Sequence, residues 1–414
     1  MRLKNIEIDR SPLRSDFTRV SAEIAVESRS QVLLYWFDIP VDLRPAISDT
    51  GNAWAVLMLP LACYFGETLT LDKPLDRVLH DNLIGLRSLW SNWYPELKPI
   101  AIEAHTIVGV DRREVAIDSS KKAISSFSGG IDSLFSFFRH KDQVLGDGTS
   151  LIDDLLSVAG FNTSMDSFER MWSELDPFAK RFGRRLVPVL TNARYGSNAI
   201  ETPYSITLWM DRLAHAAFLA AIVHILGRRY KEFIIPATST YRRLYRSFGS
   251  HPLSDPLLSS SDLKVVHDGA SFSRVERTNL VARYDEALAL VHVCWRDHGQ
   301  GNCSHCPKCL RTMSTLDLYG ARERATTFDW SNYSMEHLSG LWLQKVGEQF
   351  YFADIIEHAD RAGRSDLSAA LRAAVAYSRR KAAILNLINS NPISRTAWQG
   401  VRSVRNRMRR NSVG

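Results

Sequence analysis

Several large classes of protein are excluded by what this chain lacks. No run of about 18 apolar residues occurs, so no segment reads as a membrane-spanning helix, and Met1-Arg2-Leu3-Lys4-Asn5-Ile6-Glu7 lacks the apolar core of a secretory leader. A cytoplasmic protein with no membrane partner is the expectation. The chain holds no GxxxxGK[ST] sequence, which removes the ordinary kinase and GTPase readings. Cysteine is scarce, at five residues in 414. Without an export signal these do not form a disulfide framework, and four of them, Cys294, Cys303, Cys306 and Cys309, crowd into one segment in the manner of metal ligands. Cys63, alone in Leu61-Ala62-Cys63-Tyr64-Phe65, reads as a buried apolar residue. The net charge of +7 is modest for this length and comes in part from a C-terminal arginine cluster, so the total alone does not argue for nucleic acid. It does suit an anionic nucleotide.

What the chain has is organised around Ala123-Ile124-Ser125-Ser126-Phe127-Ser128-Gly129-Gly130-Ile131-Asp132-Ser133. An apolar run stops at two glycines and a helical pattern begins, with Leu134, Phe135 and Phe138 on one face. Paired glycines let the backbone turn tightly and approach an anion with no Cβ in the way, and the helix that follows offers unpaired N–H groups. Ser128 and Ser133 add hydroxyl donors, and Asp132 can hold a magnesium ion or a water against phosphates.

From Ala123 onward strand-like and helix-like segments alternate, the pattern of a doubly wound parallel sheet, a Rossmann-like α/β/α layering. Strands are expected through Phe127, over Leu155–Gly160, Arg185–Leu190 and Phe233–Pro236. Between them, Phe168, Met171, Trp172 and Leu175 mark a helix that ends or bends near Pro177, and Trp209 to Leu226 is a buried helix, interrupted by Arg212, His215 and His224. Ligands of such sheets bind beyond the carboxyl ends of the strands. The segment after the fourth strand, rich in hydroxyls and arginine, therefore supplies Ser239 and Thr240 as nucleotide contacts, and Arg242 (or Arg243) and His251 as substrate or phosphate contacts.

Residues 1–122 read as a separate α+β domain, with strands over Val20–Val26, Gln31–Phe37, Thr68–Asp72 and Pro99–Ala104 and a helix carrying Val78, Leu79, Leu83, Leu86, Leu89 and Trp90. Its tryptophans, Trp36, Trp54, Trp90 and Trp93, read as core. The loop domain is expected over 123–325, and 326–414 as a helical appendage ending in an arginine-rich tail, Arg395 to Arg410, without an acidic residue. That tail offers a contact for nucleic acid or an acidic protein partner.

Cys294-x8-Cys303-x2-Cys306-x2-Cys309 supplies four soft ligands, with Gly299, Gly301 and Pro307 shaping the backbone. Four thiolates suit a closed tetrahedral zinc site, which holds structure and does not activate water. Iron–sulfur ligation is a second reading of the same set, and a reactive catalytic thiol a third, against which the full complement of four ligands argues.

Ser128-Gly129-Gly130-Ile131-Asp132-Ser133 resembles the SGGxDS loop of the N-type ATP pyrophosphatases, the PP-loop superfamily. The loop followed by the cysteine cluster and Leu310-Arg311 resembles the 7-cyano-7-deazaguanine synthases (QueC) within it. The resemblance spans residues 123 to 325 and implies ATP, Mg2+ and Zn2+ as cofactors, the loop holding the β,γ-pyrophosphate, and zinc beside the substrate pocket. It implies an ATP-dependent ligase that adenylates a carboxylate or amide oxygen of a small deazaguanine-like substrate for replacement by nitrogen from ammonia or an amine, as in queuosine biosynthesis, and it leaves a homodimer open. Leu134 stands where threonine is common in that family, and the added residues at both ends are foreign to it. Two other readings stay open: a sulfur-inserting RNA-modifying enzyme, and a non-catalytic zinc module that binds nucleic acid or protein.

Overall fold

In a computed structural model the chain is described over residues 1–107, 122–142, 151–159, 165–193, 213–294, 301–344 and 346–390. Gly160, Trp209, Arg212, Gly299 and the arginine-rich end from Arg395 lie outside these residues. The chain divides into two compact units, Met1–His292 and Val293–Gly414.

The first unit is α/β, built on a ten-stranded, mostly parallel sheet. Its strands are β1 (Arg2–Arg10), β2 (Phe17–Val26), β3 (Gln31–Pro40), β4 (Leu69–Asp76), β5 (Ile102–Ile107), β6 (Lys122–Ser126), β7 (Asp154–Ala159), β8 (Arg185–Thr191), β9 (Tyr230–Pro236) and β10 (Lys264–Asp268). The order across the sheet is β10-β9-β6-β7-β8-β3-β2-β1-β4-β5. The five strands from β10 to β8 are all parallel, with β6 central among them. Leu186 to Thr191 of β8 are all buried, as expected of an interior strand covered on both faces.

The expected boundary at 122/123 does not divide the molecule. β3 pairs antiparallel with β8 through Phe37↔Thr191 and Asp38↔Leu190. Side chains extend the seam: Asn192 accepts from Trp36 N at 2.8 Å and donates to Leu34 O at 2.8 Å, and Thr191 Oγ1 donates to Trp36 O at 2.7 Å. One buried apolar cluster joins the two parts, from Leu3 and Val20 through Val187 and Phe233 to Val265. The N-terminal strands therefore extend the sheet of the loop region.

Among the described residues of this unit the α-helices are α1 (Asn52–Phe65), α2 (Arg77–Trp93), α3 (Ile131–Asp142), α4 (Met165–Arg181), α5 (His215–Ile225), α6 (Arg274–Val281) and α7 (Asp285–Leu288). α2 starts where Asp76 accepts a hydrogen bond from Leu79 N at 3.0 Å, and it buries Leu79, Leu83, Leu86 and Trp90 along one stripe. Each of those leucines contributes roughly 1.5–3 kcal/mol of burial. α1 and α5 are apolar on all sides and pack on each other within the core. α4 runs through Pro177 to Arg181, so the proline costs one backbone hydrogen bond without ending the helix.

The second unit holds α8 (Pro307–Leu318), α9 (Met335–Ser339), α10 (Val346–Arg361) and α11 (Ser365–Ser390). Phe352, Ile355, Ala359, Leu367, Leu371 and Ala374 are among its buried residues on α10 and α11. The expected boundary at 325/326 also moves, because the cysteine segment belongs with these helices. Among the described residues no helix is long and apolar enough to cross a membrane.

Candidate functional site

The strand-to-helix junction forms where the sequence pattern puts it. Phe127 N donates to Leu156 O at 2.7 Å, the last backbone bond before the chain leaves the sheet. Gly129 then takes φ +68°, a conformation that costs an L side chain about 1–2 kcal/mol. A Cβ there would also lie 3.1 Å from Leu175 Cδ2. The Gly129 carbonyl accepts from His292 N at 3.0 Å, which fixes the turn from the far side. Ser133 Oγ accepts from Ser128 N at 3.3 Å and donates to Gly130 O at 3.0 Å. This departs from its expected role: the Ser133 hydroxyl braces the loop, with its proton committed to a carbonyl. Ser128 is exposed and Ile131 begins α3 fully buried. The first amides of α3 have no acceptor within the helix, so they form a partly positive end beside Gly130.

Asp132 is the hub of the site. Its Oδ1 accepts from Arg277 Nη1 at 2.9 Å, and its Oδ2 is ion-paired with Arg274 Nη1. Burial pushes the carboxyl up, but the two guanidinium charges and their hydrogen bonds outweigh it and hold Asp132 below the usual carboxylate range. Arg277 is 1% exposed and shares its donors among Asp132, Ala237 O, Ser239 O at 3.2 Å and Gly269 O at 3.0 Å. Arg274 has Asp132 as its partner, and its side chain is 10% exposed. Two cations against one carboxylate leave a net positive site next to the glycine loop. That arrangement attracts anions.

The two arginines are absent from the sequence-based expectations, yet a signal for them exists. Ser273 and Glu276 form a capping box, with Glu276 N donating to Ser273 Oγ at 3.2 Å and Ser273 N donating to Glu276 Oε2 at 2.6 Å. An S-x-x-E sequence marks the helix start, and Arg274 and Arg277, three residues apart, then share one face.

Ser239 joins the loop through its carbonyl on Arg277. Thr240 is half-buried and accepts from Arg243 N at 2.9 Å at the start of a short 3-10 turn. Arg242 is exposed on that turn and has no ion pair among the described residues. His251 is taken up by contacts within its own loop and with Trp93. Its Nδ1 accepts from Leu253 N at 3.1 Å, its Nε2 donates to Leu244 O at 3.2 Å, and its ring lies 4.9 Å from that of Trp93. Both ring nitrogens thus hold the loop in shape, and burial lowers its pKa.

In the second unit the Sγ atoms of Cys294, Cys303, Cys306 and Cys309 all lie within 4.8 Å of one another, close enough to hold a metal ion such as zinc. Zn–S bonds of about 2.3 Å in a tetrahedron place sulfurs about 3.8 Å apart, and Cys303 Sγ and Cys309 Sγ are 3.8 Å apart. Ser304 at φ +59° and Gly301 at φ +83° bend the chain, and Cys306 caps α8, its Sγ accepting from Cys309 N at 3.4 Å. Hydrogen bonding from Cys309 pulls the Cys306 thiol well down, toward the thiolate that a metal binds.

No protein-family model, curated protein or solved structure matches this chain.

Proposed function

We propose that this chain is an ATP-dependent adenylating enzyme of the PP-loop type, similar to the 7-cyano-7-deazaguanine synthases. The observation that carries the reading is the SGGxDS loop itself, turned by Gly129 at a strand-to-helix junction on the parallel part of the sheet, with Asp132 held between Arg274 and Arg277. Ser128 and the amides of Gly129, Gly130 and Ile131 receive the β,γ-pyrophosphate of ATP, and Ser239 and Thr240 border the nucleotide. A carboxylate or amide oxygen of a small deazaguanine-like acceptor attacks the α-phosphorus. The bond from that phosphorus to the β-bridging oxygen breaks, and pyrophosphate leaves with the electron pair. Ammonia or an amine then attacks the activated carbon and loses a proton, and the acceptor's own oxygen departs on AMP.

The chain's part is mainly electrostatic: preorganised N–H groups of the loop meet the charge that builds on pyrophosphate, and the arginine pair behind Asp132 adds positive charge nearby. Asp132 is the residue that would hold Mg2+, which when bound supplies further neutralisation of the phosphates. Zinc on the four cysteines would fix the fold of its segment and leave no open position.

The test is an acceptor labelled with heavy oxygen, 7-carboxy-7-deazaguanine first. Label should appear in AMP, dependent on ATP and a nitrogen donor, and Ser128→Ala and Asp132→Asn should slow its appearance by about a hundredfold or more. ADP and phosphate as products, with no label in AMP, would falsify the proposal.

A further inference from the structure

From Arg379 to Gly414 the chain carries nine lysines and arginines and no aspartate or glutamate. The whole chain has 52 basic and 45 acidic residues, so everything before Arg379 holds 43 against 45 and is slightly acidic. The entire basic excess therefore lies in the second half of α11 and the sequence beyond it. Just upstream, basic groups are matched: Arg361 pairs with Glu357, Arg364 with Asp317 and Asp366, and Arg372 with Asp360. Among the described residues from 379 on, the matching stops. Arg379 Nε reaches the neutral Oε1 of Gln349 at 3.4 Å, and Arg380 is exposed with no acidic partner among the described residues. Lys381 Nζ lies 3.9 Å from the centroid of the Trp342 ring and 5.3 Å from that of Tyr377, which is 43% exposed.

We infer that this end of the chain is a binding arm for single-stranded nucleic acid. Arginine forks match phosphate oxygens in pairs, and all six cations beyond α11 are arginines. Aromatic rings set among cations give bases a surface on which to stack, and Trp342 and Tyr377 flank Lys381 in that way. A membrane-surface helix would segregate its apolar and basic residues to opposite faces. Here they share faces: Tyr377, Lys381 and Ile384 follow one another at spacings of four and three, as do Arg380, Ile384 and Leu387, with Ile384 58% and Leu387 72% exposed.

The experiment is fluorescence anisotropy of a labelled oligouridine with the full chain across a salt series, with phosphatidylserine vesicles as competitor. If six of the nine cations each neutralise a phosphate, affinity should fall about 300-fold between about 50 and 200 mM salt. A variant with all nine changed to glutamine should lose binding while keeping the thermal midpoint of the parent chain. Trp342→Ala and Tyr377→Ala should each weaken binding by about tenfold, and the phenylalanine variants should retain it. No binding at low salt, binding that survives the nine substitutions, or displacement of the oligonucleotide by vesicles would each overturn the inference.

Discussion

Replacing Arg277 by methionine removes the charge at the centre of the loop network while keeping most of the side chain's volume. Four acceptors lose a donor: the Asp132 carboxylate and the carbonyls of Ala237, Ser239 and Gly269. Removing one partner of a buried ion pair costs about 3–5 kcal/mol, and each carbonyl left short costs roughly 1–3 more before relaxation. Asp132 keeps Arg274, and water can reach part of the opened space, so a net loss of about 4 kcal/mol is expected. At roughly 2 °C per kcal/mol for a unit of this size, the thermal midpoint should fall by about 8 °C in scanning calorimetry. Asp132→Asn should then cost less in the Arg277→Met background than in the parent chain, with a coupling of about 0.5–3 kcal/mol. A midpoint that barely moves, or two costs that simply add, would refute the account of Arg277 as the residue that ties the loop to β9 and β10.

Acid provides a second measure of the same hub. Because its folded pKa is depressed, Asp132 contributes stability above its unfolded value, about pH 4, and that contribution is lost as pH falls through the folded pKa. Acid unfolding curves of the parent chain and of Asp132→Asn should therefore converge below about pH 4; a constant gap between them would argue against the pairing. Gly129→Ala forces an L residue to φ +68° against Leu175, and should lower stability by about 1–2 kcal/mol and slow ATP–pyrophosphate exchange; full activity would show that the turn is not needed for binding. Purified protein should hold about one zinc per chain and Cys306→Ser should hold little, with a lower thermal midpoint that chelator does not reduce further. Stoichiometric iron and sulfide would point to a cluster in its place.

The glycine loop and the strand-helix alternation around it were legible because each depends on neighbours in sequence. α1 was not, since Asn52–Phe65 is apolar all round and carries no helical period. β10 was missed for a similar reason: Lys264–Asp268 is short, lies at the sheet edge, and follows a stretch rich in turn residues. The strands β2, β3 and β4 were recognised, but their union with the parallel strands depends on contacts between residues far apart in sequence, such as Thr191 with Trp36, 155 positions away, which no local pattern encodes. The Asp132 pairing with Arg277 spans 145 positions and was invisible for the same reason. His251 looked like a site residue because it sits in a polar loop beyond a strand; the backbone groups that occupy both its nitrogens cannot be read from composition.

The seam between β3 and β8 has a practical consequence for anyone cutting this chain into pieces. A fragment starting at Lys122 would keep the glycine loop but strip β3 from β8, baring the backbone of a strand whose side chains from Leu186 to Thr191 are all buried. It would also uncover the face of α5 that α1 covers. An open apolar edge of that kind pairs readily with copies of itself. The N-terminal strands thus act as the guard on an adhesive border, and a truncated loop region should come out of the cell as aggregate.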